Sequence, residues 1–195
     1  MALRFLLYIL VFLSDPCSLA QALSNAAIQA AIERGQSSTN KALWQQITKR
    51  REVCITHRVG MGHPVELRVI ILTDADRIEL EAAEAQRQLK EFSVDDAKKL
   101  LGVTKVRLEA RSYNLDAYRL HDWTEQGRVH MVLKVGGKII QPVRKEDVGY
   151  SAGGFMITSA ITWFTFPELP RGLAAVTVTV IPGAGESKEK EIAVQ

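Results

Sequence analysis

The chain holds only two cysteines, Cys17 and Cys54, in 195 residues. That count excludes the small secreted scaffolds built on several disulfides. It contains no Asn-x-Ser/Thr sequon, so N-glycosylation has no acceptor. Aromatic residues are few, at 7%, so the core must be mostly aliphatic. Neither sign of charge dominates. Lys+Arg number 25 and Asp+Glu 22, for a net +3, too mild and too dispersed to argue for nucleic acid. Long apolar runs are also missing. The longest, Phe5 to Leu13, falls well short of the roughly twenty residues that a spanning helix needs. No internal repeat and no low-complexity stretch is present.

That short apolar run is informative because of its surroundings. Arg4 precedes it, Asp15 and Pro16 end it, and Ala20-Gln21-Ala22 offers small residues where a signal peptidase reads. Residues 1–22 therefore read as a secretory signal peptide cleaved after Ala22, and the mature protein is expected to be secreted or periplasmic. No transmembrane segment is expected after cleavage. Cys17 follows Ser14, Asp15 and Pro16, where a lipid-attachment site wants Leu and then small residues. Losing the segment removes one base, Arg4, and one acid, Asp15, so the charge balance is unchanged. Cys54 is then the sole cysteine and no internal disulfide can form.

Residues 23–52 read as a helical segment. A helix over about 24–34 carries Ala27, Ile28, Ala31 and Ile32 on one side, with Gly35 as its stop. Asn40 is placed to cap a second helix running to about Lys49, with Leu43, Trp44 and Ile47 on one face. The pair either packs on the main domain, forms a loosely held arm, or mediates self-association. The Lys49-Arg50-Arg51 cluster reads as a solvated helix end.

Residues 53–195 read as a β-sandwich domain. Val53–Thr56 and Glu66–Leu72 favour strand, and helices follow near 74–90 and 94–101. Thr73 stands at an N-cap with Asp74 and Asp76 in the first turn, and Ser93 with Asp96 forms a capping-box pattern. After Gly102 the period becomes two, with Val106, Leu108 and Ala110 alternating against Lys105, Arg107 and Glu109. Gly136-Gly137 between two apolar runs predicts a tight hairpin that sets Leu133 opposite Ile140. Strands follow over Phe155–Phe166, around Val176–Val180, and at Lys188–Val194, where charge protects an edge. Roughly six to eight such strands predict an antiparallel sandwich. The closing pair resembles the last hairpin of immunoglobulin-like folds. The fold class expected is α+β: an N-terminal helical segment plus an antiparallel immunoglobulin-like β-sandwich with a two-helix insertion.

Gly149-Tyr150-Ser151-Ala152-Gly153 fits the G-x-S-x-G pattern of a hydrolase nucleophile elbow. The elbow needs a strand before it and a helix after it, whereas a strand pattern follows. All four histidines (His57, His63, His121, His130) precede Ser151, which inverts the hydrolase order. A small-residue loop between strands explains the same residues. Cys54, His57, His63 and Glu66 carry ligand types suited to zinc. Cys54 and His57, three apart, would face opposite sides of a strand, and a lone strand cysteine reads as a small buried residue. Asp74 and Asp76 are explained by their helix start. Trp44, Trp123 and Trp163 are spread along the chain and read as packing rather than as a carbohydrate platform.

These observations favour a secreted or periplasmic, non-enzymatic interaction module that needs no cofactor. Its partner would be another cell-envelope or extracellular protein. The loop around Tyr150, with Arg144 and Lys145 beside it, is the first candidate surface. The alternative is a small secreted hydrolase using Ser151, or a metal held by His57 and His63.

Overall fold

The computed structural model describes residues 23–59, 63–112, 129–153, 157–170, 173–181 and 187–194. The side chains of 57–59, 63, 148–153, 157, 158 and 193 are not among those described. The expected signal segment and Trp123 lie outside the described residues. No helix among them is long and apolar enough to cross a membrane.

Among the described residues four helices and nine strands follow in chain order: α1 Asn25–Gln36, α2 Asn40–Arg51, β1 Glu52–Val59, β2 His63–Leu72, α3 Asp74–Arg87, α4 Val94–Lys98, β3 Val103–Ser112, β4 His130–Val135, β5 Lys138–Ile140, β6 Arg144–Gly153, β7 Ile157–Pro167, β8 Ala175–Ile181 and β9 Lys188–Ala193. The class is α+β. A five-stranded sheet runs β1-β2-β3-β7-β6 and a four-stranded sheet runs β5-β4-β8-β9, and every pairing in both is antiparallel.

The alternating pattern explains how the sheets meet. Val65, Leu67, Val69, Ile71, Val106, Leu108, Phe164 and Phe166 from the larger sheet share one buried core with Met131, Leu133, Val176, Val178 and Val180 from the smaller. This two-sheet core has the form of a sandwich. Full burial of each large side chain is worth about 1.5–3 kcal/mol. The β4–β5 hairpin forms as the glycine pair requires. Gly136 and Gly137 have φ of 54° and 81°, and Leu133 pairs with Ile140.

The other face of the larger sheet carries the helices. Thr73 accepts a hydrogen bond from the Asp76 backbone, and the Asp76 carboxylate accepts one from the Thr73 N–H, closing a capping box on α3. Ser93 and Asp96 do the same on α4. Leu43 and Ile47 of α2 pack with Leu80 and Ala83 of α3 over Ile70 and Leu72 of β2. Ile28, Ala31 and Ile32 of α1 pack on Ile78 and Ala82 of α3.

Several sequence readings change here. Thr39, not Asn40, caps α2, its hydroxyl accepting from the Ala42 N–H at 3.2 Å. Gly35 lies inside α1 and is buried. A Cβ there would sit 2.4 Å from the Glu79 carbonyl oxygen and 2.8 Å from Ala82 Cβ. Glycine is present because α1 and α3 touch at that point. Arg51 is no solvated helix end. It is 8% exposed and faces Asp76. The residues after Asp147, expected as a loop, continue β6 to Gly153 after a register shift between Asp147 and Gly149. Backbone pairing with β7 overrides the low strand propensity of that glycine-rich stretch. Cys54 is exposed rather than buried, because even-numbered β1 positions face away from the core shared by Ile55.

Candidate functional site

A groove of about 460 Å³ lies on the helical side, between α2, α3 and the larger sheet. That lies within the usual range of small-ligand sites, roughly 300–1,000 Å³. Strand register builds its floor. Trp163 of β7 stands opposite Arg107 of β3 on one side and Glu146 of β6 on the other. One row of the sheet thus presents a cation, an indole and a carboxylate. Trp44 of α2 descends onto this row. Its ring centroid is 6.2 Å from that of Trp163, at an interplanar angle of 51°. The Arg107 guanidinium lies 5.5 Å from the Trp44 centroid, a cation–π contact that holds the indole in place. Both tryptophans are half-buried and line the groove. Leu72, Leu80 and Leu100 add an apolar floor.

The rim is charged in both signs. Lys105 Nζ lies 3.2 Å from Glu146 Oε2, and Arg144 Nη2 lies 2.6 Å from Glu146 Oε1. Arg77 is buried, and its Nη1 donates to the Val103 carbonyl at 2.8 Å. Burial pushes the Arg77 pKa below its ordinary value, against the charges of Asp74 and Glu81. Arginine remains cationic at any physiological pH regardless. Glu84 accepts from Arg87 Nε at 2.8 Å, from Gln88 at 2.6 Å and from Asn40 Nδ2 at 3.0 Å. The Arg87 hydrogen bond, helped by Gln88, holds its carboxyl down at about 2. Glu81 lines the groove from an exposed position on α3.

A second cavity, of about 220 Å³, opens at the end of the same sheet. Leu23, Ile71, Leu169, Leu173 and Val194 line it, with Asp74 and Glu168 among its polar residues. It continues the inter-sheet core, which already holds Ile71 and Leu169.

Ser151 lies within β6, paired in register with Ser159. A strand-to-helix turn is absent there, so the elbow geometry does not form. Tyr150 pairs with Ala160 in the same strand, and its side chain is not among those described. Arg144 and Lys145 begin β6. Lys145 Nζ is 3.9 Å from Asp147 Oδ2, while Arg144 reaches the groove through Glu146.

The four zinc-type residues all fall on the β1–β2 hairpin. Cys54 Sγ is 3.9 Å from Glu66 Oε1 and 3.8 Å from Glu52 Oε1. Burial first, then the charges of Glu52 and Glu66, push the Cys54 thiol up, partly offset by Arg68. His57 pairs with Val65 and His63 with Val59, so their strand positions have the opposite parity to Cys54 and Glu66. Their side chains lie outside the described ones. Among the described residues no group of three or more His, Cys, Asp or Glu is placed to hold a metal. Glu66 instead pairs with Arg68 at 2.5 Å.

Sequence reasoning missed the groove because Trp44 and Trp163 carry no shared motif. Only the packing of α2 over the larger sheet joins them. The chain matches no protein-family model, no curated protein and no solved structure.

Proposed function

We propose that this protein is an exported, non-enzymatic binding module of the cell envelope or extracellular space, and that the groove between α2, α3 and the larger sheet is its binding surface. The observation that carries this reading is the convergence of Trp44 and Trp163, from separate elements, among charged side chains in one open groove. Aromatic residues framed by a few placed polar groups are the common make-up of ligand sites. The export half rests on the pattern of residues 1–22. An immunoglobulin-like strand order is part of the same proposal, supported by the alternating C-terminal strands and the two-sheet core.

Co-sedimentation of residues 23–195 with an isolated, washed envelope fraction tests the surface. The expected result is pelleting that is lost in Trp44→Ala and in Glu81→Lys. Pelleting unchanged in both variants, or no pelleting of folded protein, overturns it. A reporter enzyme active only outside the cytosol, fused after residue 22, tests export. An inactive reporter refutes that part.

A further inference from the structure

We infer that the groove takes a neutral carbohydrate, a proposal that rests on the groove being the binding surface. The argument comes from the arrangement of charge around the two indoles. Glu81 and Glu84 face the groove from α3, and Glu146 from β6. Arg77 and Lys105 line the same space. Glu84 is already paired with Arg87, and Glu146 with Lys105 and Arg144. An anionic ligand would have to displace a carboxylate from its cation, and a cationic ligand would have to displace a cation from its carboxylate, each at a cost.

A sugar ring meets neither cost. Each hydroxyl is both donor and acceptor, so one ring can donate to glutamates and accept from Lys105 and Arg77 at once. Its carbon-bound hydrogens form an apolar face, which suits a half-buried indole. Trp44 and Trp163 are tilted by 51°, so they present two surfaces at an angle rather than one flat platform. That angled pair fits a bent chain of one or two sugar units within about 460 Å³ better than a long flat polymer. The ion pairs also keep the rim organised before any ligand arrives. Glu146 is held between Lys105 and Arg144, and Glu84 by Arg87, Gln88 and Asn40. Preorganised polar groups lower the cost of binding.

The test is calorimetry and tryptophan fluorescence on the protein purified after expression of the full chain. Neutral oligomers of β-1,4-glucose, α-1,4-glucose and N-acetylglucosamine are titrated beside oligogalacturonate as the anion and chitosan oligomers as the cation. The expected result is saturable binding of at least one neutral series. Affinity should fall at least tenfold in Trp44→Ala and about threefold or more in Glu81→Gln, an exposed site chosen to leave folding intact. Trp163→Phe covers the case in which Trp44→Ala unfolds. Binding of a charged series alone overturns the carbohydrate class while the groove survives. Neutral binding untouched by every groove variant overturns the site. No binding to any series, with groove-dependent pelleting intact, overturns the carbohydrate class and leaves the binding surface standing. Loss of both overturns both.

Discussion

Arg51 Nη1 lies 2.8 Å from Asp76 Oδ2, joining the last residue of α2 to the first turn of α3. Both side chains are buried, at 8% and 4% exposure. The same Asp76 oxygen accepts from the Thr73 N–H at 2.8 Å and the Thr73 hydroxyl at 2.6 Å. The Arg51 nitrogen is close but not aimed along a hydrogen bond, and Arg51 Nε has no acceptor among the described residues. The pair is thus a charge contact between two helix ends, not a well-formed fork. One carboxylate caps α3 and neutralises the end of α2.

Asp76→Ala should therefore be among the most damaging single changes on the helical side. It strands a buried guanidinium and opens the capping box. Breaking a buried ion pair from one side typically costs about 3–5 kcal/mol. Arg51→Met should cost less, because the cap survives and the apolar stem is replaced. Urea denaturation of both variants checks this. Equal losses would show that the cap contributes nothing beyond the pair.

Gly35→Ala should destabilise the protein although alanine is the better helix former. The added carbon would meet backbone at Glu79 O, which cannot swing aside like a side-chain tip. Overpacking of this kind costs typically about 1–3 kcal/mol. Gln36→Ala, exposed on the same helix, is the control and should be near neutral. Thermal unfolding of the two separates them.

Glu109 sets a pH dependence. Burial raises its pKa, but a hydrogen bond from Arg111 and the charge of Arg107 outweigh it, and the net shift is downward. Its Oε1 is 2.6 Å from Arg111 Nε and its Oε2 is 2.9 Å from Arg107 Nη1. A carboxyl lowered in the folded state binds its proton more readily when unfolded. Its stabilisation is complete above the unfolded value near 4.5 and is lost as pH falls through the lower folded value. Glu109→Gln should flatten the stability curve in that acid window while lowering stability at neutral pH. Denaturation midpoints from pH 7 down to pH 3 report it.

Cys54 is exposed, yet its thiol is held above its ordinary pKa. Alkylation by iodoacetamide at neutral pH should run slower than for a free cysteine, since the thiolate reacts. Glu52→Gln removes one raising charge and a hydrogen-bond partner, so it should speed the reaction. A rate equal to or faster than that of free cysteine in the wild type would contradict this.

Local signals were legible in the residues themselves. Thr73 as the cap of α3, Ser93 with Asp96, and Gly136-Gly137 each act within four positions, and each formed as read, while Asp76 goes beyond its dipole role by closing a box on Thr73. The alternation of Val106, Leu108 and Ala110 placed the core face of β3. What escaped depends on elements meeting in space. Gly35 looked like a helix stop until α3 lay against it. Arg51 looked solvated until Asp76 was brought beneath it. The stretch around Ser151 looked like a loop because glycine lowers strand propensity, while β7 supplies the pairing that the stretch does not encode alone.

The place of β7 in the larger sheet also governs timing. β7 lies between β3 and β6, and residues 113–156 separate it from β3 in the chain. Until residues 157–167 are available to pair, β3 exposes an unpaired edge and Phe164 and Phe166 are missing from the core. The N-terminal half can fold its helices and its first hairpins early, but the sheet closes only after most of the polypeptide exists. Such late, long-range pairing is the slow step of β-rich folding, and it leaves a nascent chain whose sticky edge must be kept from neighbours.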